Sequence, residues 1–403
     1  MCVVSFKECW PDDAGRWYSF GGFPIQMAAI DSLFDAMTMV VVRGEPRAGA
    51  LPLPAHARVV AVRRPAGDDT RRKLSLLTHL PYYVRAIAGP VRGADVVHVP
   101  LPGDVSFLGM LVALALGKRL IARYGGSWAA TAQTTMMNRV IRACMRRCAG
   151  GRNVMLATGE GDAPPAPGIS WIFATALSAA DLRRITPRTD AALANPPRLI
   201  YAGRLSHEKG VDVLVRAIAR LAEQRLAEER LVEQSVADHR RTPLPHLTLA
   251  GDGPERTHLE ALARTLDCAS HITFAGQLDR EELSRQLRAA DLCVQPSRSE
   301  GYSKAWLDAF AHGVPVLTSR VGAAERVIGA DGERGWLVPP GDAQALADAL
   351  ARVLTGEIDW AALRRRCRAY VEGRTVDAWA RGIAERCAAQ WRETSMADGR
   401  VIA

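Results

Sequence analysis

The sequence predicts an α/β protein of two Rossmann-like halves, each a parallel sheet flanked by helices, the two facing a cleft. Three observations carry that expectation. Short apolar runs that read as buried strands recur along the chain and alternate with helical or loop stretches. One such alternation is complete in itself: Leu292-Cys293-Val294, a loop, a helix that Gly313 and Pro315 stop, then Val316-Leu317, which together make a βαβ unit. The length, 403 residues, is enough for two domains that each bury a core.

Composition narrows the class. At 48% hydrophobic and 24% charged the chain is globular, with Gly and Pro scattered as turns. A net charge of +9 favours anionic partners, such as a diphosphate or an acidic membrane surface, while nucleic acid has no motif behind it. The first residues, Met1-Cys2-Val3-Val4-Ser5-Phe6, do not form the basic-then-apolar pattern of a secretory signal, so a cytoplasmic address is expected. The longest apolar stretch, 107–116, is short of the ~20 residues a bilayer requires and reads as a buried helix. Eight cysteines lack paired metal-ligand spacing, apart from Cys144 and Cys148 one helical turn apart, and read as reduced thiols.

In the first half, residues 2–6 read as a strand, and Gly21-Gly22 lead into a helix over about 26–34. Strands follow at 37–42, 58–62, 96–99 and 119–124. His98 reads as a strand-end residue, and the Arg123-Tyr124-Gly125-Gly126 stretch as a second wall candidate or a tight turn, because ligands of such sheets collect at the carboxyl ends of strands. Residues 136–148 form an amphipathic helix with Met136, Met137, Val140, Ile141, Cys144, Met145 and Cys148 on one stripe and Arg139, Arg142, Arg146 and Arg147 elsewhere. It either packs on the sheet with solvated arginines or meets an anionic membrane. Further strands are expected at 155–158 and 171–173. A Pro- and Ala-containing stretch, 186–198, reads as a linker, so the first domain is 1–185 and the second 199–374, followed by a helical segment 375–403.

The second half opens Leu199-Ile200-Tyr201-Ala202-Gly203-Arg204-Leu205-Ser206-His207-Glu208-Lys209-Gly210 as strand, loop and helix, with Arg204 and Lys209 at the helix entrance, a pair suited to a diphosphate. A charged run over 220–246, including Arg240 and Arg241, reads as a solvated helix with a loop. Strands at 247–250 and 272–276 end in glycine turns, the first being Gly251-Asp252-Gly253-Pro254. After the strand at 292–294 comes Glu300, then a helix from about Ser303 whose leading amides, those of Gly301, Tyr302 and Ser303, point at an anion. Asp308 follows about one and a half turns on, lining the same cavity; with Lys304 four residues before it, it is equally an ordinary surface pair. A strand at 335–338 and helices at 343–354 and about 375–391 complete the pattern.

Glu300-Gly301-Tyr302, seven residues between Glu300 and Asp308, and the following Ala309-Phe310-Ala311-His312-Gly313-Val314-Pro315-Val316 resemble the signature of the retaining GT-B glycosyltransferases of family 4. The Gly-Arg-Leu…Lys-Gly loop and the Gly-x-Gly-Pro turn resemble that family's elements in the same order. The one departure is Asp308, where the family has Glu. The resemblance implies a nucleotide-diphosphate sugar as donor and a glycan or lipid-linked acceptor, at the inner face of the membrane if the 136–148 helix meets it. It also implies no cofactor and no metal. Arg204 and Lys209 would hold the diphosphate with Gly203, Gly253 and the amides after Glu300; Glu300 would hold the sugar, Asp308 the ribose. Gly21 and Gly22 would approach the donor and His98 the sugar. The final helix would return to the first domain, with Trp379 as its anchor. A nucleotide-sugar epimerase of the same fold and a binding subunit without turnover remain alternatives.

Overall fold

The computed structural model describes residues 1–47, 49–67, 69–129, 134–232 and 244–397. It divides into two compact units, Met1–Ala179 with Thr375–Ala403, and Ala180–Arg374.

The sheet of the first unit comprises nine strands: β1 (Cys2–Pro11), β2 (Trp17–Ser19), β3 (Thr38–Arg43), β4 (Leu51–Pro52), β5 (Arg58–Val62), β6 (Val96–Leu101), β7 (Arg119–Tyr124), β8 (Asn153–Thr158) and β9 (Ile169–Ile172). Seven run parallel in the order β5-β3-β1-β6-β7-β8-β9. Two short strands join antiparallel: β2 on the far end of β1, and β4 on β2. Side chains alternate across the sheet, so both faces are apolar and each is covered by helices. On one face Ile87, Val91, Met110, Ile141 and Met145 of helices Leu80–Arg92, Asp104–Ala115 and Met136–Cys148 pack on Val4, Val97, Val99 and Leu120. On the other, Met27 and Ile30 of helix Phe23–Asp31 and Trp379 and Ile383 of helix Val376–Ala397 pack on Val3, Met39, Ile121 and Leu156.

Several local expectations shift. The first helix begins at Phe23 because Pro24, whose fixed φ suits a helix start, sits in its first turn. In the 136–148 helix Met136 is 71% and Val140 46% exposed, whereas Arg142 is buried and its Nη1 donates to the Trp128 carbonyl at 2.6 Å. The stripe expected to pack is therefore rotated. Residues 233–243, with Arg240 and Arg241, lie outside the described residues.

The second unit is a six-stranded parallel sheet: β10 (Arg198–Ala202), β11 (His246–Ala250), β12 (Ile272–Gly276), β13 (Leu292–Gln295), β14 (Val316–Ser319) and β15 (Gly335–Val338), ordered β12-β11-β10-β13-β14-β15. From β10 the chain builds outward through β11 and β12, then crosses back to lay β13 on the other side of β10. That reversal opens a crevice at the carboxyl ends of β10 and β13, the place where ligands of open α/β sheets bind. The stretch 186–198, expected as a linker, belongs to this unit. The Arg188 amide donates to the His312 carbonyl at 2.8 Å and its guanidinium pairs with Asp291 at 2.7 Å. Asp291 and Arg364, both without solvent exposure, lie 3.6 Å apart in the same network.

Candidate active site

Glycines knit the loops after these strands together. A Cβ on Gly251 would stand 1.8 Å from the Gly203 carbonyl oxygen, so the turns after β10 and β11 approach as closely as backbone permits. The Gly203 amide donates to Ala250 O at 2.9 Å and the Leu205 amide to Asp252 O at 2.9 Å. Gly322, at φ +56°, lies beneath the Glu300 turn, where a Cβ would meet the Glu300 carbonyl oxygen at 2.1 Å. The Ala323 amide closes that contact on the Gly301 carbonyl at 3.0 Å.

Across the crevice the β13 loop is pinned to the β10 loop. Both carboxylate oxygens of Asp212 accept from Arg298 at 2.6 Å, and Arg298 Nη1 also donates to the His207 carbonyl at 3.0 Å. The Glu208 carbonyl accepts from the amides of Arg298, at 2.9 Å, and Ser299, at 3.3 Å. These ties bring two sequence-distant side chains together: Lys209 Nζ donates to Glu300 Oε2, both partly buried. Arg204 is exposed at the same mouth. Glu208 adds a second acid; burial pushes its carboxyl up, but the nearby Ser206 hydroxyl, its own backbone, Arg204 and Lys209 outweigh that and hold it below the ordinary value. Under this group the Tyr201 hydroxyl donates to the Arg204 carbonyl at 2.8 Å. Burial, then the charges of Glu300 and Glu208, push its phenol up, so it stays a neutral donor.

The helix after Glu300 spans Lys304–Ala311, with Ser303 before it making no side-chain capping bond. The Ser303 side chain thus leaves the amino end of this helix, with its positive dipole end, at the crevice. Tyr302 and Ser303 are buried, Tyr302 packing on Trp306 with ring centroids 6.1 Å apart. Asp308 has a different setting. Burial pushes its carboxyl up to about 6, Arg280 and Lys304 work against that, and Asp181 adds to it. The charges around Asp308 thus come from its own helix, through Lys304, and from the helices at 179–184 and 280–289, rather than from the Lys209 and Glu300 pair.

Sequence reasoning located Gly203, Arg204, Lys209, Gly253, Glu300, Gly301, Tyr302 and Ser303 on loops that the second sheet brings to one end. It missed Asp212 and Arg298, whose work is to hold those loops; Gly251 was read only as part of a glycine turn and Gly322 as part of a late loop, without the close backbone contacts they make. Gly21, at φ +78°, and Gly22 precede helix Phe23–Asp31 in the first unit. His98 departs from expectation. It is the third residue of β6, between Val3 and Ile121, and fully buried, because the strand runs on through Pro100 to Leu101. Among the described residues no three His, Cys, Asp or Glu side chains gather as a metal site, and no helix is long and apolar enough to cross a membrane.

Over 96–98% of this chain, the structure is similar to Anabaena HepE in complex with UDP (TM-score 0.65, 16% identity, all of that chain) and to sucrose-phosphate synthase from Thermosynechococcus elongatus (TM-score 0.70, 22% identity, 99% of that chain). The fold is GT-B. Residues 186–374 match the model of glycosyl transferases group 1. Glycogen synthase of Mycobacterium tuberculosis is 36% identical over 193 residues, 47% of this chain and 40% of that protein. D-inositol 3-phosphate glycosyltransferase of Corynebacterium urealyticum is 32% identical over 196 residues, 46% of this chain and 43% of that protein. The chain thus spans less than half the length of the curated relatives it matches.

Proposed function

We propose that the chain is a retaining glycosyltransferase of the group 1 type that moves a sugar from a nucleotide-diphosphate donor to an acceptor. The observation that carries this reading is the pairing of Lys209 with Glu300 beside Arg204, at the switch point of the second sheet. Negative charge grows on the diphosphate as it departs. Two cations and a helix amino end aimed there favour the transition state over the ground state, in a setting fixed before reaction begins. Glu300, released from Lys209 when phosphate oxygens compete for the ammonium, accepts from sugar hydroxyls. Retention follows from front-face attack, the leaving phosphate oxygen taking the acceptor's proton, so the C–O bond to diphosphate breaks as the new glycosidic bond forms. No metal is needed where Arg204 and Lys209 supply the charge. HepE, whose structures contain UDP and UDP-glucose, supports a nucleotide-sugar donor.

The test is a panel of nucleotide sugars with release of free nucleotide as the readout. Lys209→Ala and Glu300→Ala are each expected to lower the rate by about 10²–10³-fold. An undiminished rate in either variant overturns the assignment. Donor affinity without nucleotide release would favour the binding-subunit reading, and epimer formation without acceptor the epimerase reading.

A lipid-linked acceptor fits the first unit's helical layer. Five of the six large apolar side chains exposed among the described residues, Leu77, Tyr82, Leu111, Met136 and Val140, lie on its helices, with exposed Arg139, Arg146 and Arg147 beside the last two. Such a surface suits an anionic bilayer. Sedimentation with anionic vesicles is expected for the wild type and should weaken at least several-fold in Met136→Asp/Val140→Asp; equal sedimentation with neutral vesicles counts against it.

A further inference from the structure

The first unit contains buried polar side chains that the transfer chemistry does not use. Register sets His98 of β6 opposite Ile121 of β7, and Arg123 of β7 opposite Leu156 of β8. Val96, Ile121, Val154 and Leu156 of these strands face the core under helices Phe23–Asp31 and Val376–Ala397. The two-residue period of a strand puts His98, Arg123 and Thr158 on that same face. There they are 0%, 8% and 2% exposed. The Arg123 guanidinium lies 5.2 Å from the ring centroid of Trp379, itself 0% exposed. Arg123 Nη2 donates to Gln26 Oε1 at 3.2 Å, and Gln26 Nε2 is committed to the Thr175 carbonyl at 2.8 Å.

Among the described residues Arg123 enters no ion pair. Its Nε, the Thr158 hydroxyl, the Trp379 indole nitrogen and both ring nitrogens of His98 have no hydrogen-bond partner; the His98 ring lies near the Ile121 backbone but outside bonding geometry. Burial pulls the guanidinium down to about 10, which still leaves it charged at neutral pH. His98 is neutral there, pushed down to about 3 by burial first and by Arg123 next. A buried charge without a counter-charge is strongly disfavoured, and the great majority of buried polar groups are partnered. Each unpartnered group can donate: a guanidinium N–H, an indole N–H, a hydroxyl and one imidazole N–H. Donors gathered around a fixed positive charge complement an anion, and the carboxyl end of a parallel sheet is where one would enter.

We propose that the first unit binds a small free anion, chloride or a single oxyanion such as phosphate, among Arg123, His98, Thr158 and Trp379. The anion balances the guanidinium and ties helix Val376–Ala397 to the sheet through Trp379. Binding is independent of whether the second unit transfers sugar, and its readout is stability rather than turnover.

The test is thermal unfolding of the full chain at constant ionic strength, with bulky isethionate replaced stepwise by chloride or by inorganic phosphate. Wild type is expected to gain about 2–4 °C, saturating with the anion that binds, and Arg123→Met to show no such gain. An equal response in both proteins, or a rise that never saturates, overturns the proposal. Should Arg123→Met fail to fold, wild-type crystals grown in bromide decide instead: an anomalous peak within hydrogen-bond reach of Arg123 Nε supports the site, and its absence at a well-ordered Arg123 overturns it.

Discussion

At the scale of single residues, Asp308 separates stability from ligand handling. Its carboxyl titrates near 6 in the folded chain against an ordinary 3.8, so the folded state holds the proton more tightly than the unfolded one. The sign follows directly: stability falls as pH climbs from about 4 to about 6 and stays reduced above that. Asp308→Asn removes this slope, and is expected to unfold at higher urea than wild type at pH 7 while the two converge near pH 4. A variant less stable than wild type at pH 7 would show that the ionised carboxylate is instead held by its neighbours. If Asp308 binds ribose, the same substitution weakens donor affinity at pH 7, which calorimetry reads separately. The shortness of Asp at this position and its i,i+4 neighbour Lys304 were legible in the sequence, but its company of Arg280 and Asp181 was not, because those two reach it through helix packing that no local spacing encodes.

At the scale of elements, the loop bearing Glu300 depends on residues that touch no substrate. Gly322→Ala places a Cβ against the Glu300 carbonyl at a φ that L-residues resist, costing about 1–3 kcal/mol. Because the strain is released by moving the Glu300 turn, nucleotide release should fall by more than the loss of folded protein, as chemical denaturation and a rate assay on the same sample would reveal. Equal losses would mean that the turn stays put. The parallel strands of the second unit were legible, since buried parallel strands are short apolar runs bounded by turn residues; β10, β13 and β14 fall within one or two residues of expectation. What escaped was whatever depends on pairing. The antiparallel β2 and β4 are three and two residues long and carry no alternation to read. The inward turn of Arg142 depends on the Trp128 carbonyl. His98 was misplaced because the strand, expected over 96–99, runs on to Leu101.

At the scale of the whole molecule, each unit is closed by residues remote in sequence. In the second, Asp291 serves Arg188 and Arg364 at once, fastening the 186–198 stretch and helix Trp360–Val371 to the sheet. Asp291→Ala leaves a fully buried guanidinium without its carboxylate and is expected to lower unfolding free energy by about 3–5 kcal/mol in urea, while a change below 1 kcal/mol, roughly, would mean that Asp190 takes over. In the first, the core under β3, β1, β6, β7 and β8 is filled by Trp379, Ala380, Ile383 and Cys387, which the ribosome makes only after residues 180–374 have emerged. The opening strands must therefore wait, with one apolar face covered only in part by helix Phe23–Asp31, through the synthesis of everything between. During that interval the nascent sheet is a client for chaperones, and slowing translation across 180–374 would lengthen its exposure rather than help it mature.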